Sequence, residues 1–325
     1  MSDKIKSSLA DKDLSKAEKI LEQTAKLNQK ILVYDSESYP QILKNISSPP
    51  YVLYVQGKVL ELDKVLTIGV VGTRNSSEYG RVVTDRICRE LAQYGVVTVG
   101  GLARGIDTVG AWATLDVGGV AVGVVGSGLD IVYPSENVEL VKAITEKGCI
   151  ISEYAPGTPP VRNHFPARNR IIAGLSRGIL VTEAPEKSGA LITAKYALEN
   201  DRDVFAVPRN ITDTNSLGTN KIIQQGAKLI NGAADIISEY PYAEKVIPKK
   251  VKSEPIQKIV DDSKYSKLNE FEKQIIDILK KSDMQIDELS RELKRNVSEI
   301  NTKLIMLEVK GLVKKLPGSK YQLKL

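Results

Sequence analysis

The chain of 325 residues predicts a doubly wound α/β domain with a mostly parallel sheet, followed by a small winged helix. Three observations predict it. From residue 65 onward, short β-branched runs alternate with amphipathic stretches. The positions leaving those runs are rich in glycine. After a proline- and lysine-rich break at 241–266, the periodicity becomes helical and ends in a hairpin. Strands covered by helices on both faces read as unbroken apolar runs, which is the signature of a parallel sheet.

Taken in order, residues 1–37 form a short N-terminal helical segment, with a weak stripe through Leu14, Ala17, Ile20, Leu21 and Ala25. Tyr39-Pro40 and Ser47-Ser48-Pro49-Pro50 break any helix, and 51–55 then reads as a strand. The domain spanning 38–240 carries strand-like runs at 65–71, 96–99, 120–125, 149–152, 178–182, 203–207 and 228–230. Helical stretches at about 78–93, 107–115, 135–147, 168–176, 190–200 and 217–226 separate them. Pro241, Pro248 and Pro255 mark 241–266 as a linker. Within 267–325, Leu268, Phe271, Ile275, Ile278 and Leu279 share one helical face. A second short helix starts at Ile286, and Val297, Ile300, Leu304 and Leu307 stripe a third. Strand, turn and strand follow from Lys310, completing three helices and a wing. That module is a duplex-DNA or protein-docking candidate, with Lys314, Lys315 and Lys320 on the wing better suited to phosphate than the mixed-charge third helix.

Hydrophobic content of 42% and charged content of 26% are those of a soluble globular protein. No apolar run is long enough to span a bilayer and no signal-peptide core is present, so a cytoplasmic protein without membrane contact is expected. Cys88 and Cys149 lack metal-ligand spacing and read as reduced core thiols. The net charge of +6 lies entirely in residues 249–325, which hold 18 Lys+Arg against 12 Asp+Glu, while the other 248 residues hold 28 of each. A nucleic-acid site in the large domain must therefore come from local clustering of arginine.

Ligands of such sheets bind outside the carboxyl ends of the strands, so the residues after each strand are the candidates. Gly72-Thr73-Arg74 joins a glycine turn to hydroxyls and a guanidinium fork matched to phosphate; the alternative is a helix cap with a surface arginine. Asp107 and Asp130 follow the glycine turns at Gly101 and Gly128 and read as helix caps. The most telling stretch is 162–174, with Arg162, His164, Phe165, Arg168, Asn169 and Arg170 at a helix mouth, where cations and a ring suit a phosphate with a base stacked beside it. Cations are disfavoured at a helix N-terminus, so these arginines call for an anionic ligand or for acids such as Glu153 and Glu183. Ser188-Gly189 is another turn rich in backbone donors, and Asn220 and Lys221 stand at a further helix start. No nucleophile, metal set or dinucleotide fingerprint accompanies these residues, so the chain reads as a binder of nucleic acid rather than an enzyme, with no cofactor or metal.

With these pieces in place the chain resembles the DprA/Smf family of DNA-processing proteins over roughly residues 38–240. The resemblance is carried by Tyr39-Pro40, Pro49-Pro50, Gly72-Thr73-Arg74 followed by Ser77-x-Tyr79-Gly80, and Gly101-Leu-Ala-Arg-Gly-Ile-Asp107. It continues through Gly128-Leu-Asp130-x-x-Tyr133-Pro134-x-x-Asn137, Ser152-Glu153, Phe165-Pro-x-Arg168-Asn-Arg-Ile-Ile-Ala-Gly-Leu-Ser176, Glu183-Ala184, Ser188-Gly189-x-Leu191-x-Thr193-Ala194 and Gly218-x-Asn220. It implies an extended Rossmann-like domain that binds single-stranded DNA and loads the RecA recombinase onto it during natural transformation, in a homodimer. Carried over by position, it implies a DNA pocket of Arg74, Arg162, Phe165, Arg168, Asn169, Arg170, Ser188 and Gly189, with Gly72 and Thr73 of the same glycine turn. Gly128, Arg209, Asn220 and Lys221, at strand exits and a helix start, are secondary candidates on their own positions. Two departures stand out. The family's Ala-His after Gly-Ile-Asp is Gly110-Ala111 here, with Trp112 next. Its Val-Pro-Gly is Val207-Pro208-Arg209, where the added charge either extends the DNA path or pairs with an acid. The N-terminal region is also shorter than the helical domain many relatives carry.

Overall fold

A computed structural model describes residues 13–241, 268–281, 284–316 and 320–323. The chain divides into two compact units, residues 1–250 and 251–325. The linker expected at 241–266 lies, after Pro241, outside the described residues.

The first unit is built on a nine-stranded sheet in the order β1-β2-β6-β5-β4-β3-β7-β8-β9. Helix α1 (Ser15–Lys26) precedes β1 (Lys30–Val33), α2 (Gln41–Lys44) and β2 (Val52–Gly57). The regular alternation follows: β3 (Thr67–Val71), α3 (Glu78–Gln93), β4 (Val97–Gly100), α4 (Ile106–Asp116), β5 (Ala121–Val125), α5 (Val138–Lys147) and β6 (Cys149–Ser152). It closes with α6 (His164–Gly174), β7 (Gly178–Val181), α7 (Gly189–Glu199), β8 (Asp203–Ala206), α8 (Leu217–Gln224), β9 (Lys228–Leu229) and α9 (Ala233–Ile237).

Every pairing from β6 across to β9 is parallel, whereas β1 and β2 are antiparallel. Each residue of β3, β6 and β7 is buried, as the unbroken apolar runs require. Alternate side chains serve opposite faces. Ile179 and Val181 join Val99, Val124, Ile171 and Ala194 in one core, while Leu180 joins Ile68, Ile87, Leu91 and Phe205 in another. The chain lays down β3, β4, β5 and β6 in one direction, then returns to place β7 on the other flank of β3. That reversal is a topological switch point, and the loops leaving β3 and β7 diverge there into a crevice.

Two readings need correction. Residues 30–33 are an edge strand paired with β2, so the sheet begins before residue 38; a four-residue run is too short to show its period in sequence. Helix α6 starts at His164, a turn earlier than expected, so Arg168 and Arg170 lie in its second turn. The dipole penalty fades within the first turn and makes no demand on them.

The loops after β3 and β4 are locked together. Gly105 has φ +77°, and a Cβ there would lie 2.4 Å from the Thr73 carbonyl oxygen. A Cβ at Gly72 would meet Ile106 at 2.5 Å. The Ile106 N–H donates to the Thr73 carbonyl (3.2 Å). The glycines are therefore there for close approach, and they hold Arg74 against the start of α4.

The second unit contains α10 (Glu270–Lys281), β10 (Met284–Gln285), α11 (Ile286–Leu293), α12 (Val297–Val309), β11 (Val313–Leu316) and β12 (Lys320–Leu323), with the strands ordered β10-β12-β11. Ile275, Leu279, Leu289, Ile300, Leu304 and Leu307 form its core with Val313 and Tyr321. This is the expected three-helix and wing arrangement. Ile305, Met306 and Val309 are exposed on α12, the expected recognition helix.

Candidate nucleic-acid interface

The loops after β3 and β7, together with the first turns of α6 and α7, enclose a cleft of about 720 Å³ at the switch point. Gly72, Thr73, Arg74, Arg162, Phe165, Arg168, Asn169, Ser188 and Gly189 all line it. A smaller recess of about 160 Å³ shares Arg74, Tyr133, Phe165 and Arg168 with it and reaches Asn75, Arg104 and Pro134.

The lining residues do different jobs. Arg74 is exposed, and its guanidinium carbon stands 5.5 Å from the centroid of the Phe165 ring. Tyr133 backs that ring at 5.5 Å with a 37° tilt. A cation beside an aromatic pair at an open cleft can take a phosphate on one side and a base on the other. Arg162 and Lys187 also line the cleft, and among the described residues neither they nor Arg74 has an ion-pair partner. The cleft therefore focuses three free cations within a region of the chain whose charges balance as a whole.

Arg168 is a strut instead. It is 5% exposed, and its guanidinium donates to the carbonyls of Gly101 (2.7 Å) and Val124, at the carboxyl ends of β4 and β5. Burial pulls the guanidinium down to about 10, against the opposing charge of Asp107, so it stays charged at neutral pH. Asp107 is 7% exposed and accepts the Gly101 N–H (2.9 Å). Burial pushes its carboxyl up to about 6, with Arg168 and the Gly101 N–H pulling the other way. Because the folded value lies above the unfolded one, the proton adds stability that is complete below about pH 4 and lost as pH rises through about 6. Asp107 is expected to contribute a fall of roughly 3 kcal/mol across that window. Urea melts between pH 4 and 7 test this: Asp107→Asn keeps the Gly101 contact and should flatten that part of the profile.

The remaining candidates make contacts within the protein. Asn169 bridges the helix starts, its Nδ2 donating to the Gly189 carbonyl (3.3 Å). Ser188 caps α7 through the Ala190 N–H, and the space above Gly189 is open. Arg170 does not line the cleft; it pairs with Glu153 at 2.6 Å, the acidic alternative foreseen for it. Arg209 likewise pairs with acids, Glu183 and Asp213, and so does not extend the cleft. Glu183 also accepts from the Ser77 N–H (3.0 Å) and from Asn215 (2.8 Å), while a Cβ at Gly80 would run into it. The Ser77-x-Tyr79-Gly80 motif is thus shaped around a buried carboxylate. Asn220 exchanges hydrogen bonds with the Arg209 backbone, Lys221 pairs with Glu186, and Gly128 packs against Asp130 and Ala155. None of these four secondary candidates lines the cleft.

Tyr133 and Lys187 were not among the sequence candidates for the site. Tyr133 follows β5 at a distance that gives no hint of Phe165. Lys187 immediately precedes the Ser188-Gly189 turn, and that adjacency is the available signal.

The family model for DNA recombination-mediator protein A matches residues 30–241, and that for the DprA winged helix domain matches 263–319. The DNA processing protein DprA of Bacillus subtilis is 45% identical over 206 residues, covering 63% of this chain and 69% of its own length. Protein Smf of Synechocystis is 34% identical over 331 residues, covering 93% and 82%. Among solved structures, DNA processing protein A of Streptococcus pneumoniae aligns with TM-score 0.62 and 41% identity over 65% of this chain and 74% of that one. The Helicobacter pylori protein, described for its single-stranded DNA binding mode, aligns with TM-score 0.60 and 29% identity over 66% and 96%.

Proposed function

Because this chain belongs to the family of DNA recombination-mediator protein A, the DprA/Smf proteins, we propose that its switch-point cleft holds single-stranded DNA. The observation that carries this reading is the exposed Arg74 guanidinium set 5.5 Å from Phe165. Phosphates meet Arg74, Arg162 and Lys187, and a base lies against the Phe165 and Tyr133 rings. The single-stranded DNA binding described for the Helicobacter pylori relative supports the same ligand here. The reading involves no chemical step. The family resemblance extends it to a homodimer in the cytoplasm that passes the bound strand to the RecA recombinase during natural transformation.

Fluorescence anisotropy with oligothymidylate across a salt series tests the cleft. Affinity should fall linearly on a log–log plot, because phosphate contacts release counterions. Phe165→Ala should weaken binding by about 1–3 kcal/mol, the usual worth of a base stacked on a ring, while leaving the salt slope unchanged. Parental affinity in that variant would remove Phe165 from the site.

A further inference from the structure

We propose that the DNA path leaves the cleft along the carboxyl edge of the sheet and reaches a second stacking platform, formed by Tyr34, Tyr51 and Lys44, for bases of the same single strand. This rests on the cleft being a single-strand site and extends it to a surface outside it.

The placement comes from the antiparallel strands. In β2, Tyr54 pairs with Ser152 of β6, so the start of β2 lies at the carboxyl end of β6. In β1, Val33 pairs with Val52, and the Tyr34 N–H donates to the Tyr51 carbonyl (2.9 Å). Tyr34 and Tyr51 therefore stand on the same edge of the sheet as the loops of the cleft. From β3 to β2 and β1 is four to five strand spacings, roughly 20–24 Å.

The platform has a fixed base and an open top. Tyr39 is 1% exposed and its hydroxyl donates to the Pro50 carbonyl (2.5 Å). The Tyr34 ring stands 5.6 Å from Tyr39 and 5.6 Å from Tyr51, and Tyr51 is 76% exposed. Lys44 Nζ lies 5.1 Å from the Tyr34 centroid and, among the described residues, has no ion-pair partner. Tyrosines kept for packing alone would be covered; here the outermost ring, Tyr51, faces solvent and the cation lies over its neighbour Tyr34, a ring-and-cation grouping of the kind used for single strands. Aromatic groups also mark the ground between. His164, next to Phe165 on α6, stacks on Tyr154 beyond β6 at 3.9 Å, with the planes 17° apart. The Arg170–Glu153 pair adjoins Tyr39, whose phenol burial pushes up while Arg170 pulls it down. Asp35 and Glu37 follow Tyr34 in sequence and are exposed, so stacking rather than phosphate attraction dominates at this end.

Two oligothymidylates separate the platform from the cleft, one of roughly 5 nucleotides that fills the cleft alone and one of roughly 20 that spans both. Tyr51→Ala removes an exposed ring and should leave the thermal melt of the full chain unchanged. It should bind the long oligonucleotide roughly tenfold more weakly than the parent and the short one equally well. Lys44→Ala should follow the same pattern more weakly. Parental affinity of Tyr51→Ala for the long oligonucleotide, or an equal loss on both lengths, would overturn the platform. Arg74→Ala is the control for the cleft and should lose both lengths. If it binds both like the parent, the cleft reading fails and the continuation falls with it.

Discussion

Arg74→Ala is expected to weaken oligothymidylate binding about 10- to 100-fold, the value of a charge-assisted hydrogen bond of about 1.5–3 kcal/mol. The log–log salt slope should fall by about one, since one phosphate contact is lost. Thermal stability should change little, because the side chain is exposed and, among the described residues, makes no hydrogen bond or ion pair. A salt slope equal to the parent's would mean that Arg74 meets no phosphate, whatever the change in affinity.

Arg168→Ala should behave in the opposite way. Its guanidinium is buried and satisfies the carbonyls of Gly101 and Val124, and it opposes the buried charge of Asp107. Truncation leaves two buried acceptors and a carboxylate without compensation, a loss of about 3–5 kcal/mol. Chemical denaturation should show it directly. Arg168→Lys should recover part of the loss, since the ammonium keeps the charge but lacks the reach of the guanidinium, whose Nη1 meets both carbonyls. If Arg168→Ala is as stable as the parent and loses only DNA affinity, the residue is a ligand contact and its role as a strut is wrong.

These two arginines show how far the sequence could be read. Both stand at strand exits or helix starts, both carry a motif, and by type and spacing they are equivalent. The alternation that placed them was legible because each parallel strand is buried on both faces and must be apolar throughout. The glycine turns were legible as well, since only glycine allows the approach of Gly105 to Thr73. The short edge strand β1 was not legible: its partner β2 is held in register by pairing, and four residues carry too little periodicity. Arg209 posed an explicit alternative that composition could not decide. The structure sets it against Glu183, a carboxylate from the loop after β7.

The order of strands and helices, the glycine-bounded exits and the family motifs follow from local constraints, in which each residue answers to its own strand or turn. The division of labour among the charged residues does not. Whether an arginine is free, as Arg74 is, or already bound, as Arg168, Arg170 and Arg209 are, depends on carbonyls and carboxylates contributed by strands distant in the chain. The same holds for the rings: Tyr133 meets Phe165, and Tyr34 meets Tyr51 on the edge shared with the cleft, only through strand order and pairing direction. Burial and partnership are properties of packed elements. The tertiary structure alone decides which cations and rings remain open to a ligand.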